Sequence, residues 1–263
     1  MLLTEITPLI LCFNEQENIG RTISCLAWAD EIVVIDSGST DATLEICSVH
    51  KNVRVVTRRF ESHANQWNFG LKECGVNTPW VLALDADYVL TPDFVNEMSF
   101  LDPISALNGF LVHFQYAVNG TVLSGSLYPP VICLYRRESG AYYEQDGHTQ
   151  RLVLPGQIGY LSSRLIHDDR KSLERWVVSQ VGYANLERDS LCERKWSTLR
   201  IQDKVRRLIV VAPWLVPLYY LVLKGGWRDG RAGLLYALQR AVAESILSVR
   251  LLESEMSRKQ KVL

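Results

Sequence analysis

Asp85 and Asp87 stand one residue apart at the end of WVLALDAD, residues 80–87. Two carboxylates at that spacing suit a hard divalent cation, Mg²⁺ or Mn²⁺, which takes oxygen ligands and keeps waters and substrate phosphates in its other positions. The same pair can instead cap the helix that follows. Other groups able to do chemistry come before and after it. Asp36 closes the apolar run EIVVI, Glu144, Asp146 and His148 cluster in YYEQDGH, and His167 lies in LIHDD. Carboxylates and imidazoles are the side chains that move protons or bind metals near neutral pH.

The elements that carry these groups read as an α/β protein. WVLAL has no polar alternation and is too short for a helix, the mark of a strand buried on both faces. Residues 6–13, 31–35 and 52–56 read as further strands, with helices expected over 15–29, up to about 50 from a cap at Ser39 or Thr40, and over 65–74. Strands alternating with helices build βαβ units and a mainly parallel sheet. In such open sheets ligands bind at the carboxyl ends of the strands, where Asp36, Asp85 and Asp87 fall. Beyond the acids, Thr91-Pro92 opens a helix, and residues 109–118 and 121–124 flank an Asn-Gly turn as a hairpin. Residues 131–135 and 160–166 read as strands, 136–151 as a polar segment, and 171–189 as an amphipathic helix.

Composition is that of a globular chain: 263 residues, 48% hydrophobic, 22% charged. The six cysteines are scattered without C-x-x-C spacing and read as buried, reduced thiols, which disfavours zinc. The start, MLLTEITPLILCFNE, has no basic n-region and no small-residue cleavage site, so no signal peptide is expected. Charge is lopsided. Residues 191–263 hold 14 Lys/Arg against 6 Asp/Glu, while the rest holds 14 against 23. A basic end suggests contact with phosphate. Its cations bracket the uncharged run 208–223, with Pro213 and Pro217 inside and Trp214, Tyr219, Tyr220 and Trp227 in or beside it. They are not interleaved with stacking platforms, so a lipid surface is the expected partner and nucleic acid is not. The run is shorter than the roughly 20 residues of a membrane span. It reads as a hairpin or re-entrant segment dipping into one leaflet, followed by an amphipathic helix over 232–253; the alternative is packing on the catalytic domain or on a second copy.

The ordered set LILCFNEQENI, ADEIVVIDSGSTDAT and WVLALDAD resembles the family 2 glycosyltransferases, inverting enzymes of the GT-A fold. The resemblance covers about residues 5–170. The later KGGWRDGRAGLLYAL is similar to the C-terminal region of bacterial members that build lipopolysaccharide cores and related surface glycans. The resemblance implies a GT-A catalytic domain over 1–170, with a nucleotide-sugar half to about 90 and an acceptor half over 91–170. A helical, membrane-associating region follows over 171–263, with its membrane-surface segment at about 204–253.

The resemblance also implies roles. Asp36 would meet the nucleotide base and ribose, with the Ser37-Gly38 turn exposing backbone amides near the donor. Pro8, Glu15, Gln66, Asn68 and Ala86 would line the donor pocket. Asp87 would be the direct metal ligand and Asp85 a ribose or supporting group, with His167 a further metal or diphosphate ligand. Tyr88 stands where related enzymes often carry a third acid, and an arginine common in the helix of Gln66 and Asn68 is missing. The base that deprotonates the acceptor would be Asp146 first, with Glu144 and His148 as alternatives. Arg136, Arg137, Arg151 and Arg170 are possible diphosphate clamps, and Asp168 or Asp169 a cap for the next helix. The expected reaction is metal-dependent transfer from a nucleotide-sugar, UDP-linked, to a lipid-linked glycan at the cytoplasmic face of a bacterial inner membrane. Two other readings stand beside it. A nucleotidyltransferase would need a Gly-rich basic loop where FNEQEN lies, and a non-catalytic membrane-binding module would not need its acids.

Overall fold

A computed structural model of the chain describes residues 2–103, 105–146 and 149–260. The chain divides into two compact units, residues 1–122, 128–145 and 150–170 forming one, and 123–127, 146–149 and 171–263 the other.

The first unit opens with β1 (Ile6–Cys12), α1 (Ile19–Ser24), β2 (Ile32–Asp36), α2 (Thr43–Ser48), β3 (Val53–Thr57), α3 (His63–Glu73) and β4 (Trp80–Asp85). It continues with β5 (Tyr88–Leu90), α4 (Pro92–Ser99), β6 (Leu107–Val112), β7 (Phe114–Val118), β8 (Thr121–Val122) and β9 (Val131–Arg136). The strands β10 (Tyr142–Asp146), β11 (Thr149–Val153), β12 (Gln157–Tyr160) and β13 (Leu165–His167) complete the series. Seven strands make one sheet in the order β12-β6-β9-β4-β1-β2-β3. β1 pairs in parallel with both β2 and β4, and β9 runs antiparallel to β4 and β6. The helices lie on both faces because alternate residues of the central strands feed two cores. Ile6, Ile10, Leu82 and Leu84 pack with Ile19, Ile23 and Phe94 on one side, while Leu9, Ile35, Val81 and Ala83 pack with Trp67 and Tyr143 on the other. Gly70 lets α3 sit close to the sheet: a Cβ there would come within 2.7 Å of Leu9 and Ile35 side-chain carbons. The α/β, mainly parallel architecture expected from the sequence is the one observed.

Several expected elements change their bounds for identifiable reasons. The helix expected over 15–29 is only Ile19–Ser24, because Glu15 N donates to Thr43 Oγ1 and Gln16 N to Asp41 Oδ2 instead of entering a helix. α2 is not capped by Ser39 or Thr40; its first turn follows Ala42, and Asp41 accepts from Thr43 N at 3.0 Å. The stretch 109–118 divides at His113, β6 joining the main sheet and β7 a four-stranded sheet of order β5-β13-β7-β8. Asn119 and Gly120 make the expected turn between β7 and β8, both with positive φ (49° and 81°). The polar stretch 136–151 contains strand residues that pair β10 with β11. The stretch 160–166 is broken because Ser162 N and Ser163 N each donate at 2.7 Å to the Glu97 carboxylate.

The second unit is helical, with α5 (Leu173–Glu193), α6 (Ile201–Arg207), α7 (Ala212–Leu223) and α8 (Gly230–Gln260). Leu191, Leu199, Leu247 and Leu251 form its core. Buried ion pairs tie its helices: Arg206 meets Glu244 at 2.8 Å and Glu187 at 3.5 Å. The prolines of the 208–223 run do not break it into a hairpin. Pro213 sits in the first turn, where the missing N–H costs nothing, and the helix continues through Pro217. The hairpin is instead formed by α7 and α8. At their junction Asp229 accepts from Tyr220 Oη at 3.1 Å and from Ser124 N at 3.0 Å.

Candidate active site

The acids converge because of strand register. Asp36 stands level with Cys12 across the β1–β2 pair, and Asp85 level with Leu11 across the β1–β4 pair. Both therefore leave the carboxyl edge of the sheet on either side of β1, where the strand order reverses. The loops that follow β1 and β2 are laced together: Asn14 N donates to Ser39 Oγ at 2.7 Å, and Thr40 N to Asn14 Oδ1 at 2.7 Å. Asn14 has φ 55°, a left-handed conformation that asparagine tolerates.

Asp87 is nearly buried, and its Oδ2 faces His167 Nε2 at 3.1 Å. Two contacts set this pair. β13 runs antiparallel to β5 with His167 opposite Tyr88, and Asp168 N donates to Asp87 O at 3.1 Å. Burial pulls the His167 imidazole down, but Asp87, Asp85 and Asp169 outweigh it, so its pKa is raised. Asp85 is pushed up by burial and by repulsion from Asp87, and pulled back by a hydrogen bond from Tyr88. Tyr88, at the position where a third acid was expected, thus donates to the first acid of the motif. His167 lies within an aromatic box, edge-on to Tyr116 (4.9 Å between ring centres), Tyr128 (5.2 Å) and Tyr88 (5.3 Å). Its buried Nδ1 has no hydrogen-bond partner among the described residues.

The turn after β2 differs from expectation. Asp36 is 0% exposed, and its carboxylate accepts from Gly38 N (2.9 Å), Ser39 N (3.0 Å) and Ser39 Oγ. Ser37 N is taken by Cys12 O at 2.9 Å. The amides of this turn therefore bind the protein itself, and Asp36 shapes the turn from beneath. Gln66 reaches the same turn from α3, donating to Ser37 Oγ at 3.0 Å. Pro8 does not line the end of β1: it is buried at the third strand position, opposite Leu82, before β2 begins to pair at Leu9. Glu15 does lie just past the strand, its carboxylate accepting from Asn18 Nδ2 at 2.8 Å. Ala86 is held from behind, its carbonyl accepting from the buried Thr22 hydroxyl at 2.7 Å.

Asn68 is occupied with Tyr143, donating to its carbonyl at 2.9 Å and accepting from its N–H at 2.8 Å. Trp67 stacks on the Tyr143 ring. Opposite sides of one turn of α3 thereby connect two neighbours, the Ser37 turn through Gln66 and the β10 strand through Asn68. Glu144, on β10, pairs with Arg151 at 2.7 Å, which lowers its pKa and makes it a weak base. His148 and the side chain of Asp146 lie outside the described residues.

The expected diphosphate clamps are elsewhere. Arg136 lies against Trp80, at the opposite edge of the sheet, and donates to the carbonyls of Pro103, Ser105 and Leu107. Arg137 binds Thr78 O. Arg170 pairs with Asp168 at 2.8 Å, and Asp168 (3% exposed) also pairs with Arg21 at 2.9 Å. Neither Asp168 nor Asp169 caps α5; Ser172 does. Arg21 and the fully buried Asn18 were not singled out from the sequence. Asn18 donates to Asp169 Oδ1 and accepts from Arg170 N, so α1 holds the segment that carries His167. Only the polarity of α1 positions otherwise suited to a core face hinted at this.

Among the described residues no group of three or more His, Cys, Asp and Glu forms a ready-made metal cage. The donor set that is present, one carboxylate beside one imidazole, nonetheless fits Mn²⁺ or Mg²⁺ that takes its remaining ligands from phosphate and water.

Residues 9–115 match the family described as Glycosyl transferase family 2. Over 252 residues the chain is 25% identical to the lipopolysaccharide core biosynthesis glycosyltransferase LpsC of Rhizobium meliloti, a match covering 90% of this chain and 88% of that protein. The chain is a glycosyltransferase, and its residues 9–115 are similar to family 2. An uncharacterised glycosyltransferase of Rickettsia bellii is 30% identical over 102 residues, 38% of this glycosyltransferase and 34% of the other. The fold is that of two solved structures. Staphylococcus aureus TarS 1-349 superposes with a TM-score of 0.50 at 15% identity, covering 97% of this chain and 91% of that one. A mannosyltransferase of Pyrobaculum calidifontis, solved with GDP-Man and Mn²⁺, superposes with a TM-score of 0.52 at 13% identity, covering 94% and 87%. At these identities the likeness establishes the GT-A fold of this glycosyltransferase.

Proposed function

We propose that this glycosyltransferase moves a sugar, with inversion, from a UDP-linked donor to a lipid-linked glycan in lipopolysaccharide-core or related surface-polysaccharide synthesis, at the cytoplasmic face of the inner membrane. The observation that carries the reading is the convergence of the Asp36 turn with Asp85, Asp87 and His167 at one edge of the sheet. LpsC, similar along nearly its whole length, supports the acceptor class, and the basic C-terminal region supports a membrane-borne acceptor.

Within this reading the residues of the site divide the labour. Asp87 and His167 would hold Mg²⁺ or Mn²⁺, which supplies charge neutralisation at the leaving diphosphate. Asp36 keeps the Ser37–Ser39 turn in shape for the nucleotide, and Gln66 braces that turn. Asp85, kept in place by Tyr88, offers oxygen atoms to the ribose. Transfer with inversion needs one base to take the acceptor proton as its oxygen attacks the anomeric carbon. Asp146, at the end of β10, is the assigned base, since Glu144 is engaged with Arg151.

Calorimetric titration with UDP, with and without Mn²⁺, tests the donor site. Binding that needs the metal and disappears in Asp87→Ala supports the reading; no binding of UDP under any metal condition refutes the UDP assignment.

A further inference from the structure

The side chains of α7 are distributed inside out. Trp214, Leu218 and Val222 form one row at four-residue spacing, and Leu215, Tyr219 and Leu223 form the row beside it. All six are exposed, Trp214 at 80% and Leu223 at 72%, while Tyr220 is buried on the opposite side. The helix contains no charged residue. A contiguous apolar face of this kind marks a surface that is covered in use.

The charges around the face say what covers it. Lys224, Arg228 and Arg231 follow directly, and none of the three makes an ion pair among the described residues. The nearby Asp229 is engaged with Tyr220 and Ser124 and does not neutralise them. Trp227, 66% exposed, lies among them under the Arg228 guanidinium. An uncharged apolar stripe, indole rings and unpaired cations together match the boundary between acyl chains and anionic headgroups.

We infer that α7 docks flat on an anionic lipid surface, its Trp214–Leu218–Val222 face in the acyl boundary and Lys224, Arg228 and Arg231 on lipid phosphates. Two facts decide between lying flat and inserting. Twelve residues of helix reach only about 18 Å, against a hydrocarbon core of about 30 Å, and no helix among the described residues is long and apolar enough to cross a membrane. Tip-first insertion of the α7–α8 hairpin would carry all three cations into hydrocarbon, a costly transfer. The expected re-entrant segment is therefore replaced by a surface-lying helix. This inference deepens the lipid-linked-acceptor reading and rests on it for its purpose, but its test reads lipid binding alone.

Full-length protein is sedimented with vesicles of phosphatidylcholine and with vesicles of phosphatidylcholine and phosphatidylglycerol at roughly 3:1. Binding to the anionic vesicles is expected to be at least about tenfold tighter and to weaken with added salt. The double variant Leu218→Glu/Val222→Glu, at exposed positions, is expected to lose at least about tenfold in binding while keeping its melting temperature. Lys224→Ala/Arg228→Ala/Arg231→Ala should abolish the preference for anionic vesicles. Wild-type protein that ignores both vesicles, or a double variant that binds them equally well, overturns the inference. So does a concentration-dependent dimer lost in the double variant, which would make a second copy the occupant. UDP-sugar hydrolysis without vesicles reads the transfer reaction separately, so a failed donor assignment and a failed docking face give different patterns.

Discussion

Asp87 Oδ2 and His167 Nε2 stand 3.1 Å apart although 80 residues separate them in the chain. The pair exists because β13 lies antiparallel to β5, and because Asn18 and Arg21 of the first βα unit grip the segment just beyond His167. If these two residues hold the metal, Asp87→Ala and His167→Ala should each lower sugar transfer by about 10²-fold or more. Circular dichroism should show both variants folded. Turnover that stays metal-dependent in both would remove them from the metal site.

The raised pKa of His167 gives a pH dependence. Without metal, its imidazolium–Asp87 pair stabilises the fold fully below the ordinary histidine value of 6.5, and that contribution is lost as pH rises through the raised folded value. Mn²⁺ must displace the same proton, so metal affinity should climb across the same window. Melting temperatures in EDTA and Mn²⁺ titrations from about one pH unit below to about two above the ordinary histidine value check both signs, with His167→Gln as the variant expected to flatten them.

Arg21→Ala leaves the buried Asp168 with one guanidinium in place of two. We expect a loss of about 1–3 kcal/mol in stability, read by urea unfolding. A raised KM for the donor should accompany it, because the His167 segment is then held to α1 through Asn18 without Arg21. Arg21→Lys should recover part of the stability. An unchanged unfolding midpoint in Arg21→Ala would show that Arg170 alone suffices.

Asn68→Ala removes both hydrogen bonds to the Tyr143 backbone. Faster amide exchange in β10 and β11, with slower transfer but little change in UDP affinity, is the expected outcome. Equal exchange protection in variant and wild type would mean that Trp67 stacking holds the strand by itself.

The assignment of the base separates two neighbours. Asp146→Asn should cost about 10²–10⁴-fold in kcat. Glu144→Gln, which removes an exposed ion pair with Arg151, should change kcat by less than about threefold. The reverse order in steady-state kinetics would transfer the role to Glu144.

The sequence by itself determined the alternating α/β plan, because the strands IVVI and WVLAL are apolar without alternation and only a sheet covered on both faces uses such runs. It also placed Asp36, Asp85 and Asp87 at strand ends, since a strand's terminus is marked where the apolar run stops. The exposed apolar and basic character of the C-terminal region was legible in the same way. What local patterns do not encode is pairing between distant segments. That Asp36 turns inward to bind its own loop, that Pro8 lies deep in β1, and that Asn68 serves Tyr143 all depend on which backbone amides lie nearby after the chain has packed. His167 meets Asp87, and Arg21 meets Asp168, only because strand register and the lean of α1 bring them together. Whether Pro217 breaks α7 was likewise a tertiary decision: the helix persists through the proline, with Tyr220 buried on its inner side.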